Sequence, residues 1–521
     1  MSQEAPRSSK LLQSTAVTGG MTLISRISGL ARDIVLAGFM GASAGPAADA
    51  FYVAFRIPNL FRRFFGEGAF SQSFVPVMSE YRGMDRDGAA RDFVSHMAGR
   101  FAVLLFVITV IGVIGAPLLV MALAPGFIDD GNKFDMTIAM VRVMFPYMMF
   151  ISLVAMTAGI LNSYSRFAAA AFTPVLLNLV LISAALWGAP YFHNQVMALA
   201  WGVFLAGLVQ LLFQVPFLIR IRMLPRPRLG RHEGVSRVFR LMLPALFGSS
   251  VSQLNMIVNT VLASFLATGS VTWLFYSDRL MEFPLGVFGI ALATVLLPSL
   301  SRQHAADDPA AFSRLLDWAM RLGFIVGVPA AAALIVLAGP LLATMLFHGK
   351  FLPIDVEKSM YAVWAFAAGL MGFILVKVLA PGFYARQDTR TPAKIAAVAF
   401  VVNIILSLAL IYPLRHVGLA AAISIAAYAN AAMLFVQLLR TGVFSPQPGW
   451  SVLLIQVGIS TTAMTGLLVW GVGDWHEWLH MPLSLQVRQL LLWVIAGFAT
   501  YVIAMLIMGI RPRHLHSPAH T

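Results

Sequence analysis

Residues 54–77 read AFRIPNLFRRFFGEGAFSQSFVPV. The stretch is apolar enough for a bilayer, yet it carries Arg56, Arg62, Arg63 and Glu67. If it crosses a membrane, the chain is a membrane protein with guanidinium groups inside it, and those groups need a reason.

The rest of the chain supports a crossing. Of its 521 residues, 59% are hydrophobic and 11% charged, with a mean hydropathy of +0.82, against roughly 25% charged in soluble domains. The net charge of +14 is carried mostly by Lys and Arg in short loops between apolar runs. That is the pattern of cytoplasmic loops in a polytopic membrane protein, so nucleic acid is not an expected partner. With no cysteine, disulfides and thiolate metal sites are excluded. The N-terminal MSQEAPRSSKLLQS lacks the apolar core and cleavage site of a signal peptide, and the first apolar segment is expected to stay as a helix.

At about 20 apolar residues per crossing, the expected fold is an all-α integral membrane protein of about fourteen transmembrane helices. Their approximate limits are 15–40, 47–79, 93–123, 136–161, 168–190, 195–219, 241–267, 270–300, 312–346, 359–382, 394–413, 417–439, 451–471 and 487–510. The loop after the sixth holds Arg220, Arg222, Arg226, Arg228, Arg231, Arg237 and Arg240 against Glu233, which assigns it to the cytoplasm. Counting spans from there puts both termini inside. The opposite loops, APGFIDDGNKFD (124–135) and GDWHEWLHMPLSLQ (473–486), are acidic or nearly neutral. No loop exceeds about 25 residues, which leaves no room for a soluble catalytic domain.

A shift of 222 residues brings separate segments into register. AFSQSFVPVMS (69–79) falls on ALATVLLPSLS (291–301), Arg56 on Asp278, and AGILNSYSRF (158–167) on APGFYARQDT (380–389). The offset covers six spans, an even number, so the halves share one orientation as parallel repeats do. The expected organisation is an N-terminal lobe (1–222), a basic cytoplasmic loop (223–240), a C-terminal lobe (241–445), and spans thirteen and fourteen with a cytoplasmic tail (446–521). A cavity is expected between the lobes.

Ionisable residues inside spans are costly, about 2.5–3.5 kcal/mol for an arginine at the centre, and usually face a protein interior or a wet cavity. Here they concentrate in spans one, two and eight. Span one has Arg26, Arg32 and Asp33; span two has Asp49, Arg56, Asn59, Arg62, Arg63 and Glu67; span eight has Asp278, Arg279 and Glu282. Structural ion pairs explain part of this set, since Arg63 and Glu67 are spaced i, i+4, as are Asp278 and Glu282 around an arginine. Arg26, Arg32, Arg62 and Arg279 remain as four arginines without four adjacent acids. A guanidinium stays charged and presents a planar fork to phosphate oxygens, so the set suits an anionic, pyrophosphate-like substrate.

The segments RDIVLAGFMGA (32–42), DAFYVAFRIPNLFRRFFGEGAFSQSFVPV (49–77), SFLATGSVTWLFYSDRLMEFPLGVFGIALATVLLPSLS (264–301) and KVLAPGFYARQDTRTPAK (377–394) closely resemble the MurJ (MviN) family of lipid II flippases. That family lies in the superfamily of multidrug and oligosaccharidyl-lipid exporters. The resemblance runs through all the spans, and its PNxxRR…EGAF and DRLMEFP signatures are specific. It implies a bacterial inner-membrane transporter carrying undecaprenyl-pyrophosphate-linked disaccharide-pentapeptide, lipid II, to the periplasmic leaflet by alternating access. The polyprenyl tail would stay in membrane lipid, with spans thirteen and fourteen as its groove. By motif match the family's cavity arginines fall on Arg26, Arg32, Arg62 and Arg279, and its other sensitive polar positions include Asp49 and Glu282. No cofactor is implied. Ligands for a sodium site do not match residue by residue, so coupling to a monovalent cation or to the membrane potential stays open. Alternatives are a multidrug exporter of the same fold, which should favour unpaired carboxylates, a polyprenyl-phosphate enzyme, for which no DxD or HxxxD cluster appears, and a scaffold for cell-wall synthesis proteins.

Overall fold

A computed structural model describes residues 5–62, 69–83, 88–248 and 250–510, while the side chains of 5–18, 22, 69, 244–248, 250–252 and 287–294 fall outside it. Among the described residues every expected span is helical and no strand occurs. The helices form two compact units, residues 1–268 and 269–521. Nine described helices are long and apolar enough to cross a membrane. The expected spans outside that set, 15–40, 47–79, 241–267 and 270–300, include the ones that carry the charges.

The first unit contains α1 (Ala5–Met40), α2 (Ala47–Arg62), α3 (Ala69–Gly83), α4 (Ala89–Ile114), α5 (Ala116–Leu123), α6 (Gly131–Met144), α7 (Tyr147–Ser163), α8 (Phe167–Ser183), α9 (Met197–Arg220), α10 (Glu233–Gly248) and α11 (Ser250–Ser264). Helix α1 packs on α8, α2 on α6, and α9 against both α7 and α8. The fourth span is two helices because Pro146, at the start of α7, has no N–H to carry the ladder on. Polar side chains buried here must find partners within the protein. Accordingly, Thr157 on α7 donates to Gln214 on α9, whose Nε2 donates to Thr173 Oγ1 on α8 at 3.0 Å.

The repeat assigned the seventh span to the second lobe, with the boundary near 223–240. In the structure α10 packs on α3, and α11 packs on α5 and the turn Pro125–Phe127, so the first unit extends to Thr268. A Cβ at Gly126 would lie 2.4 Å from the Ser264 carbonyl oxygen, and the Gly126 N–H donates to Ser264 Oγ at 3.1 Å. Only glycine permits that approach.

The second unit contains α12 (Ser270–Ala305), α13 (Pro309–Leu346), α14 (Pro353–Tyr384), α15 (Arg390–Arg440), α16 (Trp450–Val472), α17 (Trp475–His480) and α18 (Leu483–Ile507). Helix α14 is central, packing on α12, α13 and α15. The 51 residues of α15 are not one rod, because Arg415 has φ 52° and ψ −130° just after Pro413. A Cβ at Gly418 would meet the Leu410 carbonyl oxygen at 2.3 Å, whereas residues eight apart on a straight helix are about 12 Å apart. The chain therefore turns back at Arg415, between the eleventh and twelfth expected spans. Helices α16 and α18 pack together and onto α13, and the Tyr501 hydroxyl donates to the Ile325 carbonyl at 2.6 Å.

The 222-residue shift has a structural counterpart inside each unit. In the first, the segment after α9 is strapped to α4, with Arg228 N donating to Ser95 O at 3.0 Å and Arg226 N to Ser95 Oγ at 3.3 Å. In the second, the segment after α15 is strapped to α13, with Gln447 N donating to Asp317 Oδ1 at 3.0 Å and Ser445 N to Ser313 Oγ at 3.0 Å. Ser95 and Asp317 are 222 residues apart, as are the first residues of α6 and α14, Gly131 and Pro353.

Candidate functional site

Arg26 is exposed on α1, with no hydrogen-bond partner among the described residues. Arg32, on the same helix, is buried at 6% exposure. Its Nε and Nη2 donate to Asp33 Oδ1 at 3.0 and 2.6 Å, and its Nη1 to Asn178 Oδ1 on α8 at 3.2 Å. Asn178 in turn donates to Ser28 Oγ at 2.9 Å, closing a polar joint between α1 and α8. A guanidinium buried in apolar surroundings needs acceptors within its own unit, and Asp33 and Asn178 supply them to Arg32.

Helix α2 is tied at several depths. At its first turn, Asp49 is 1% exposed and accepts from Lys133 Nζ on α6 at 2.9 Å. The ammonium also lies over the Phe127 ring, 4.2 Å from its centroid. Lys133 falls in the segment read as an acidic loop; the structure makes it the first turn of α6, capped by Asp130 accepting from Lys133 N at 3.2 Å. Further along, half-buried Arg56 donates to Thr260 on α11. In the last turn Asn59 Oδ1 accepts from Arg62 Nε at 2.7 Å, a contact that fixes the plane of the Arg62 guanidinium. Arg63 and Glu67 lie outside the described residues.

These ties differ in weight. A neutral side-chain hydrogen bond between membrane helices is worth about 0.6 kcal/mol on average. Removing one partner of a buried ion pair costs about 3–5 kcal/mol, because the other charge is left without compensation. Of these ties, the Asp49–Lys133 pair, at 1% and 4% side-chain exposure, is therefore the one whose loss costs α2 most.

In the second unit, Asp278, Arg279 and Glu282 are all exposed on α12. Arg279 Nη1 lies 3.2 Å from Glu282 Oε2, and its guanidinium is 5.5 Å from the centre of the Phe275 ring. Glu282 thus lies beside Arg279, although an exposed pair of this kind is worth only about 0–1 kcal/mol. At the start of α12, Trp273 Nε1 donates to the buried Asp355 on α14 at 2.9 Å. Asp355 and Lys133 are 222 residues apart, so α2 is tied to α6 in the first unit, and α12 to α14 in the second, through the same repeat position. On α16 an open apolar groove of about 690 Å³ is lined by residues including Ile455, Gly458, Ile459, Ala463 and Gly466. A Cβ at Gly458 or Gly466 would meet nothing within 4 Å.

The model of the family described as lipid II flippase MurJ matches residues 36–488. The chain belongs to the MurJ family. A probable lipid II flippase MurJ of Vibrio cholerae is 42% identical over 520 residues, covering 98% of this chain and 99% of that protein. The lipid II flippase MurJ of Burkholderia cenocepacia is 42% identical, covering 91% and 93%. A solved lipid II flippase MurJ in an inward closed conformation superposes with a TM-score of 0.78 at 22% identity, over 94% of this chain and 98% of that one. A multidrug MATE transporter in an inward-facing conformation gives 0.66 at 15% identity, over 82% and 98%. These two likenesses establish the fold, that of a multi-pass all-helical membrane protein. Within this MurJ family chain, the four arginines singled out by sequence occupy distinct surroundings: Arg26 alone, Arg32 buried in a joint, Arg62 oriented by Asn59, and Arg279 exposed beside Glu282.

Proposed function

We infer that this protein moves lipid II, the undecaprenyl-pyrophosphate-linked disaccharide-pentapeptide, from the cytoplasmic to the periplasmic leaflet of a bacterial inner membrane. The observation that carries this reading is 42% identity along essentially the whole length of a MurJ relative. Arg26, Arg62 and Arg279 hold the pyrophosphate by charge-assisted forks, and Arg32, in its joint with Asp33 and Asn178, completes the set by holding α1 against α8. Asp49, Arg56, Asn59, Asp278 and Glu282 set helix position and fork orientation around them. The α16 groove, apolar and open, suits the polyprenyl tail. Both termini face the cytoplasm, the side on which the basic loop 220–240 belongs. The two units alternate access by moving as rigid bodies, and no bond of the substrate is made or broken. Docking of cell-wall synthesis proteins is compatible with this role.

Purified full-length protein in proteoliposomes tests the reading. Lipid II placed in one leaflet should reach the other in protein-containing vesicles and stay put in empty ones. Vesicles that move a cationic dye and leave lipid II where it was would instead support an exporter of the same fold.

A further inference from the structure

The transport reading uses Asp49 and assigns nothing to Lys133. We propose that Lys133 is a positioning residue for Arg62: by clasping Asp49 it fixes the depth and rotation of α2, the helix that carries Arg62 in its last turn. The inference rests on the flippase reading for what Arg62 binds, but the clasp itself rests on geometry.

Three observations support it. First, the ammonium has no hydrated position in this structure, because Lys133 is 3% exposed, bonded to Asp49 and covered by the Phe127 ring. A buried charge pair tolerates neither stretching nor loss of one member, so α2 and α6 are held together at this point. Second, Lys133 is anchored through its own backbone, its N–H donating to Asp130 and its carbonyl accepting from Thr137 Oγ1 at 2.7 Å. Third, the second unit places Asp355 at the same repeat position, 0% exposed and bonded to Trp273 at the start of α12, the helix that carries Arg279. Each unit thus ties the helix that carries an arginine of the proposed site, α2 or α12, to the helix that begins at the same repeat position, α6 or α14, and reaches this with a different residue pair. The sensitivity that the family resemblance attaches to Asp49 is, on this account, the sensitivity of a clasp and not of a substrate contact.

The test uses full-length protein with K133M, D49N, R62A, the double K133M/R62A and the swap D49K/K133D. Accumulation is followed by size exclusion in detergent, and equilibrium binding of lipid II and its movement in proteoliposomes are measured. An acid at position 133 has a precedent in Asp355, and an acid in a helix's first turn is favourable, so the swap is expected to accumulate. The expected result is at least a tenfold loss of lipid II binding in K133M, little further loss when R62A is added to it, and recovery of binding and movement to within about threefold of wild type in the swap. A residue that merely stabilises the fold would lower yield and leave the affinity of the folded fraction unchanged. Three results overturn the proposal: K133M binding like wild type, K133M and R62A losses that add, or a swap that is no better than the single variants in accumulation or movement. If R62A alone binds and moves lipid II normally, the pyrophosphate assignment fails instead, and recovery in the swap still reports on the clasp.

Discussion

At the scale of single residues, the guanidinium forks proposed to hold the pyrophosphate lie in different surroundings. Arg62 has its Nε held by Asn59, which presents the fork in a fixed plane. R62K keeps the charge and loses the fork, so lipid II movement should fall roughly ten- to a hundredfold, the equivalent of the ~1.5–3 kcal/mol of a charged hydrogen bond. Movement at the wild-type rate in proteoliposomes would show that charge alone suffices. The sequence made these arginines visible because a charge in an apolar span stands out. It hid their partners, because Asn178 is 146 residues from Arg32 and is itself uncharged. Lys133 escaped for the opposite reason: beside Asp129, Asp130 and Asp135 it reads as one charge of a solvated loop. The signal that would have found it is the repeat, which lays Lys133 on Asp355.

At the scale of elements, the straps and turns decide how helices meet. Gly99 on α4 lies against the strap, and a Cβ there would sit 2.3 Å from the Arg228 carbonyl oxygen. G99A should therefore cost about 1–3 kcal/mol, read as a lower midpoint of thermal unfolding with substrate movement in the surviving protein unchanged. The strap also carries a titratable group. His232 Nδ1 accepts from the Gly234 N–H at 3.1 Å at the start of α10, and its Nε2 lies 3.8 Å from Asp92 Oδ2. Partial burial, with nearby His96 and Arg100, lowers its pKa below the ordinary 6.5, while Asp92 and Glu233 act the other way. Tyr81 and Phe93 complete its surroundings. Because the folded state favours the neutral ring, this contribution to stability is full above pH 6.5 and is lost as pH falls below it. Protonation would also take away the acceptor that caps α10, next to the positive end of its dipole. Amide exchange in α10 should accelerate as pH drops from 7.5 to 5.5 after correction for intrinsic rates, and H232N, which caps without titrating, should abolish that change. Equal acceleration in both proteins would contradict the assignment. In the second unit, W273F should cost about 1–3 kcal/mol by removing the indole donor to the charged Asp355, measured by thermal unfolding.

At the scale of the whole molecule, the helical segments and the two-fold internal repeat were legible, because apolar runs and a constant offset survive without knowledge of contacts. The unit boundary was not. The repeat ends the first half near residue 222, yet α10 and α11 pack on α3, α5 and the turn Pro125–Phe127. Their affiliation depends on close approaches such as Gly126 to Ser264, which no periodicity encodes. Straps and buried clasps hold the helices within each unit. The proposed function has lipid II cross the membrane by way of the arginines. The most direct measurement is in bacterial cells depleted of the protein, asking whether lipid II is cleaved by a reagent confined to the outside. The account predicts that depletion shields lipid II from the reagent, that the wild-type chain restores cleavage, and that R26A, R62A or R279A, expressed to the same level, does not. Lipid II equally open to cleavage with and without the protein would contradict it.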